Sequence, residues 1–157
     1  MIVPKYFEDL EQLHVNTMPN RAYYIPASRR MDDLVENRAA SDRFFLLSGD
    51  WKFRYFDSVY DVKEEFFAEG YDTSAFETIP VPSVWQNYGH DRHQYTNVRY
   101  PFPVDPPYVP YENPCGAYVR TFEWKKQEEA PNAFLNFEGV DSCFYVWMNG
   151  SFVGYSQ

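Results

Sequence analysis

The amino-acid sequence predicts an all-β protein, a β-sandwich of the jelly-roll kind, and three observations support this prediction. Short segments alternate apolar and polar side chains with a period of two, the pattern of a strand with one buried face. Turn-forming residues separate these segments at short intervals, as antiparallel sandwiches require. Asn149-Gly150 lies between two aromatic runs and indicates a hairpin, because a type I′ turn needs positive φ at both central positions.

Length and composition limit the classes of protein to which the chain can belong. Its 157 residues suit one domain, and 45% hydrophobic with 24% charged residues excludes disorder over most of the length. A net charge of −9 disfavours nucleic acid as a partner, because that binding depends on Lys and Arg. No apolar window approaches the ~18 residues of a membrane span, and no secretory signal is visible. We therefore expect no membrane association and a cytoplasmic location.

The first half of the chain predicts an arm followed by strands. Residues 1–40 are polar and interrupted by three prolines, which indicates an extended N-terminal arm, with the sandwich domain over 41–157. Residues 44–56 predict two strands around a central turn, because aromatic and charged side chains alternate after that turn. Residues 59–67 predict a short helix with one apolar side.

The second half predicts a proline-rich loop between strands. Residues 78–86 predict a strand, but the two prolines within it exclude a central position in a sheet. Residues 101–114 hold six of the twelve prolines and predict a stiff, extended loop. Further strands are predicted over 117–124, 133–137, 143–148 and 151–155. The strand at 143–148 is apolar on both faces, so we expect a cover for its second face from outside this sequence.

No catalytic or metal-binding motif stands out by its spacing. His90 and His93 lie three residues apart without a third ligand nearby, which favours a solvated loop over a metal site. Cys115 and Cys143 are too few for a zinc site or a disulfide scaffold, and we expect reduced, half-buried thiols. A glycosidase needs two carboxyl groups across a bound sugar, and nothing in the sequence marks such a pair.

A set of motifs between residues 16 and 157 occurs together in one protein family. They are LSGDWKF at 47–53, VPSVWQ at 81–86, YTNVRYPFP at 95–103, PPYVP at 106–110, ENPCGAY at 112–118, FEGVDSCF at 137–144, WMNG at 147–150 and VGYSQ at 153–157. In order and content they resemble the N-terminal sugar-binding domain of large bacterial β-galactosidases, the lactose-operon type of glycoside hydrolase family 2. The YTNV motif and the PPYVP run resemble the galactosidase branch in particular.

This resemblance implies that the chain acts together with a catalytic domain that is absent from this sequence. In the family the jelly roll packs on a (β/α)₈ barrel, which carries the two glutamates of a retaining mechanism. The chain would then be an N-terminal fragment truncated at the C-terminal end of its own sandwich, with no catalytic residue and no activity alone. Its partners would be a terminal β-D-galactoside such as lactose, the catalytic barrel and, through the arm, further copies in a homo-oligomer.

The resemblance also identifies candidate site residues. In the family the Asn of the YTNV motif contacts sugar hydroxyls, so the resemblance implies this role for Asn97, and Val98 beside it would pack near the sugar. An amide suits this role because it offers both donors and acceptors, but Asn97 could instead cap its own turn. Magnesium and sodium are implied for the full-length family. Gln157 matches a Gln near a structural magnesium in some members, yet the Trp-Glu-Asn pattern of those members is replaced here by Phe7-Glu8-Asp9, so we place no metal or cofactor in this fragment.

Two alternatives to the galactosidase domain are considered. A free-standing jelly-roll carbohydrate-binding module would show an exposed aromatic platform on a complete sandwich. A subunit-assembly segment would use residues 1–40 as an arm that becomes ordered against a neighbour. The second alternative is compatible with a galactosidase domain.

Overall fold

Two three-stranded antiparallel sheets form the regular structure of residues 2–157, the residues that this computed structural model describes. No α-helix occurs in that range, and none of its helical turns is long and apolar enough to cross a membrane. The strands are β1 (His14–Val15), β2 (Gly49–Phe56), β3 (Glu77–Val81), β4 (Cys115–Val119), β5 (Phe144–Met148) and β6 (Ser151–Ser156). Short 3-10 helices lie at Tyr6–Glu8, Arg38–Ala40, Val59–Asp61 and Trp85–Tyr88. The all-β prediction is confirmed, and the arrangement is that of a β-sandwich.

The first sheet has the order β3-β2-β4, with β2 in the centre. Its alternation buries Phe53 completely while Lys52 and Arg54 stay exposed, as the sequence pattern predicts. β3 is an edge strand, which agrees with its proline content.

The prediction of two strands within residues 44–56 is wrong, since only β2 forms. The carbonyl oxygen of Leu47 accepts hydrogen bonds from the Trp51 indole (2.8 Å) and the Arg120 guanidinium (2.7 Å). Side chains therefore satisfy this backbone group, and no partner strand lies alongside residues 44–48.

The second sheet has the order β1-β6-β5 and contains the predicted hairpin. Asn149 and Gly150 have φ of 48° and 76°, so the two-residue turn with positive φ is confirmed. β1 lies inside the predicted arm and pairs with β6 through Val15 and Tyr155. The boundary between arm and sandwich at residue 40 stays a prediction.

The apolar hairpin is covered in part by the chain itself, which corrects the expectation of an external cover. Tyr6 stacks on Tyr145 at 6.0 Å between ring centroids and lies 5.3 Å from the Tyr155 ring. Phe67 stacks on Trp147 at 4.4 Å. The sequence could not show this cover, because Tyr6 and Phe67 are remote from the hairpin along the chain.

Three further elements differ from the predictions. The helix at 59–67 is a single 3-10 turn at Val59–Asp61, and β4 ends at Val119 rather than at residue 124. Residues 133–137 form no strand, and their apolar side chains are exposed, with Phe134 at 62%. A strand needs a ladder partner as well as a suitable side-chain pattern, and the described residues offer none alongside 133–137.

Candidate functional site

The candidate residues lie on a long loop between the Trp85–Tyr88 turn and β4. Every residue from 91 to 106 is exposed, and Val98 is 77% exposed. The loop carries aromatic side chains in solvent, with Tyr95 at 80% and Tyr100 at 78% exposure. Several large aromatic side chains exposed on one loop are available for contact with another molecule.

Asn97 is held by a side chain of its own loop. Its Nδ2 donates a hydrogen bond of 2.7 Å to the hydroxyl oxygen of Tyr95. Within residues 2–157 no side-chain hydrogen bond reaches its Oδ1, so the amide keeps an acceptor and a second N–H for another molecule. The sequence offered one signal for this contact, the two-residue spacing of the YTNV motif.

The loop is fixed at both ends, to the first sheet at its start and to the Val59–Asp61 turn at its end. At its start Gly89 adopts φ of 87° and closes the Trp85–Tyr88 turn, which packs on the first sheet. Phe53 lies 6.2 Å from Trp85, and a Cβ on Gly116 would come within 2.9 Å of the Trp85 ring. At its end the Tyr111 ring stacks on Tyr60 at 5.8 Å.

The two histidines do not meet at a metal site. His90 Nε2 lies 2.5 Å from Glu77 Oε1, whereas His93 is exposed on the loop. In residues 2–157 no group of three or more potential protein ligands gathers around one point. The solvated-loop interpretation therefore describes His93 but not His90, which packs against the sheet.

The residues compared with the family's magnesium site have other contacts. The Gln157 amide donates to the Tyr6 carbonyl at 3.2 Å. Glu8 accepts hydrogen bonds from Lys5 (2.7 Å) and the Tyr60 hydroxyl (2.8 Å), and the Lys5 ammonium group lowers the pKa of Glu8. These hydrogen bonds connect the predicted arm to Tyr60 and to the C-terminal end of the sheet β1-β6-β5.

Both cysteines are free, half-buried thiols. Burial raises the pKa of Cys115 to about 11 and also raises the pKa of Cys143. A thiol with a raised pKa is a poor nucleophile at neutral pH. Neither cysteine is therefore a candidate catalytic residue.

Comparison with known proteins decides the family. A family model described as "Glycosyl hydrolases family 2, sugar binding domain" matches residues 44–157. The chain belongs to glycosyl hydrolase family 2.

Similar curated proteins of this family carry the name β-galactosidase. The chain is 48% identical over its whole length to one from Actinobacillus pleuropneumoniae and 44% identical over its whole length to one from Staphylococcus xylosus. It is 36% identical over 98% of its length to one from Priestia megaterium. The chain spans about 15% of the length of each of these family 2 relatives. The resemblance seen in the motifs is confirmed.

Proposed function

We propose that this family 2 sugar-binding domain belongs to an enzyme that hydrolyses terminal β-D-galactosides such as lactose, and that Asn97 binds the galactose. The observation that carries the proposal is the exposed Asn97 amide, whose oxygen is free of side-chain hydrogen bonds within residues 2–157. The chain that carries Asn97 is similar over its full length to proteins named β-galactosidase.

The chemistry of Asn97 fits a sugar. The Oδ1 atom accepts a hydrogen bond from a hydroxyl group, while the remaining Nδ2–H donates to a second hydroxyl oxygen. Tyr95 restrains the amide through the 2.7 Å contact, which lowers the entropy lost when a sugar binds. Val98 beside it offers an apolar surface to the C–H groups of the ring. The function proposed for this loop is therefore to bind and orient the substrate.

Bond cleavage would take place on another part of the enzyme. A retaining glycosidase needs two carboxyl groups about 5–5.5 Å apart, one as nucleophile and one as acid/base. We assign both to a catalytic barrel that packs on this domain, along with the magnesium and sodium expected for the full-length family. Further copies of the enzyme are proposed as partners in a homo-oligomer.

Kinetics of the whole enzyme test the role of Asn97. Asn97→Ala should raise KM for lactose by about tenfold, since a lost hydrogen bond to a sugar costs about 1–2 kcal/mol. Asn132→Ala is the matched control, because Asn132 is also an exposed loop asparagine. The 157-residue chain alone should show no turnover of a chromogenic galactoside. Unchanged KM and kcat in Asn97→Ala would overturn the proposed sugar contact.

A carbohydrate-binding module is the second candidate, and the exposed aromatic side chains of the loop favour it. Tyr95 and Tyr100 are about four-fifths exposed, as a sugar-stacking platform requires. A module would bind lactose without any other domain, so calorimetry of the chain alone separates the two candidates. Millimolar or tighter binding by the chain alone would favour the module.

A further inference from the structure

His90 is the last side chain before the exposed loop that packs on a sheet. Its ring stacks on Tyr55 at 5.1 Å between centroids, with an interplanar angle of 23°, and meets the edge of Phe53 at 5.4 Å. Its backbone N–H donates to the Trp85 carbonyl at 3.3 Å. His90 is thus held by β2 and by the turn that precedes it.

A polar contact adds a third attachment, to β3. His90 Nε2 lies 2.5 Å from Oε1 of Glu77. This close approach joins the imidazole of His90 to the carboxylate of Glu77. The side chains of His90 and Glu77 are 24% and 42% exposed, so solvent screens the pair only in part.

The chain leaves the sheet directly after His90. Asp91 adopts φ of 56°, and residues 91–106 are all exposed. In that stretch the side-chain hydrogen bond seen in the structure joins Asn97 to Tyr95, both on the loop. The direction in which the loop leaves is therefore set at His90, seven residues before Asn97.

We propose that His90 is a positioning residue for Asn97: its stacking on Tyr55 and its pairing with Glu77 fix the base of the loop that presents the amide to the sugar. This inference rests on the proposed function of Asn97. A misplacement of a binding group by about 1 Å can cost as much as 10²-fold in rate. A change at the base of the loop should therefore reach the sugar site without touching it.

The test is a double-mutant cycle in the enzyme that contains this chain. His90→Ala should raise KM for lactose at least fivefold, and His90→Ala combined with Asn97→Ala should be no worse than Asn97→Ala alone. Two residues that act through one sugar contact give this non-additive result, whereas a general loss of structure would add to the effect of Asn97→Ala. His93→Ala is the matched control, because His93 is an exposed histidine of the same loop.

Two further variants separate the ring from the charge. His90→Phe keeps an aromatic ring against Tyr55 and should recover part of the lost affinity. Glu77→Gln removes the charge of the partner and should raise KM less than His90→Ala does. If His90→Ala does not fold, as judged by its thermal midpoint, His90→Gln takes its place in the cycle.

The outcomes distinguish the inference from the proposed function beneath it. If Asn97→Ala raises KM and His90→Ala does not, or if the two effects multiply, His90 is not a positioning residue while Asn97 keeps its role. If Asn97→Ala leaves KM unchanged, the sugar contact is wrong and the role of His90 fails with it.

Discussion

Two regions of the molecule place aromatic side chains in opposite environments. In the sheets Tyr155 is 1% exposed and Phe53 is 1% exposed, whereas on the loop Tyr95 and Tyr100 are 80% and 78% exposed. Aromatic residues make up 20% of the chain, so composition alone does not separate the two uses. The difference shows that one set of aromatic side chains holds the sandwich together, while the other set is available to bind something else.

The forces that hold the sheets also differ from those that hold other segments outside the strands. The sheets rest on burial, with Ile79 and Phe53 at their centre. Several segments outside the strands are held by polar side chains instead, as where Arg38 lies 2.5 Å from Glu138 and both contact the Tyr23 hydroxyl. Buried aromatic side chains should therefore govern stability, and charged contacts should govern only the local position of these segments.

Paired truncations in the two regions should show the largest effect. Phe53→Ala should lower the free energy of unfolding by about 3–5 kcal/mol, because it opens a cavity against Trp85 and Tyr118. Tyr100→Ala should change it by less than ~0.5 kcal/mol, since the side chain is in solvent. Urea unfolding followed by fluorescence measures both. Equal losses in the two variants would abolish the contrast between sheet and loop.

The buried sheet should also weaken in alkali. Because burial raises the pKa of Cys115 from 9.0 to about 11, the unfolded chain releases this proton at a lower pH than the folded chain. The contribution to stability is complete below pH 9 and is lost as the pH rises toward 11. The loss should be about 2–3 kcal/mol at most. Urea unfolding from pH 8 to 11 under reducing conditions measures it.

The control compares how steeply the free energy of unfolding falls with pH in Cys115→Ala and in the unmodified chain, and not its absolute value. Cys115→Ala removes the thiol and creates a small cavity, so its stability falls at every pH. Its decline between pH 9 and 11 should nevertheless be shallower than that of the unmodified chain. Burial also raises the pKa values of Tyr145 and Tyr155, which adds a decline of the same sign in both proteins. Parallel slopes would show that Cys115 is not responsible.

Local patterns predicted the elements whose partners lie nearby in sequence. Alternation identified β2, the Asn149-Gly150 dipeptide identified the hairpin turn, and proline placed β3 at an edge. Residues 133–137 carry the side-chain pattern of a strand but lack a neighbour to pair with. Strand pairing depends on residues far along the chain, and for that reason the side-chain pattern of residues 133–137 predicted a strand that does not form.

One residue of the candidate site could be predicted from the sequence, and one could not. Asn97 came from the resemblance of the YTNV motif, and its exposure is consistent with a contact role. His90 gave no usable signal, because its contacts are with Glu77 and Tyr55, which lie 13 and 35 positions earlier in the sequence. The fold alone brings them together.

The smallest expected effect concerns the charged contact outside the sheets. Arg38 and Tyr23 lower the pKa of Glu138 below its ordinary value of 4.5. The unfolded chain therefore takes up this proton first as the pH falls, so the contribution of the carboxylate is present above pH 4.5 and is lost below it. This exposed contact should therefore lose its contribution to stability as the pH falls, whereas the buried sheet should lose stability as the pH rises.

A carboxyl titration by ¹³C NMR measures this pKa directly. Arg38→Gln should return the Glu138 pKa toward 4.5, because Arg38 is its largest source of stabilisation. Glu138→Gln should lower stability slightly at pH 7, and its difference from the unmodified chain should shrink as the pH falls through the lowered pKa of Glu138. An unshifted Glu138 pKa in the unmodified chain would show that the Arg38 contact does not persist in solution. The charged contact would then not fix the position of the segment around Glu138.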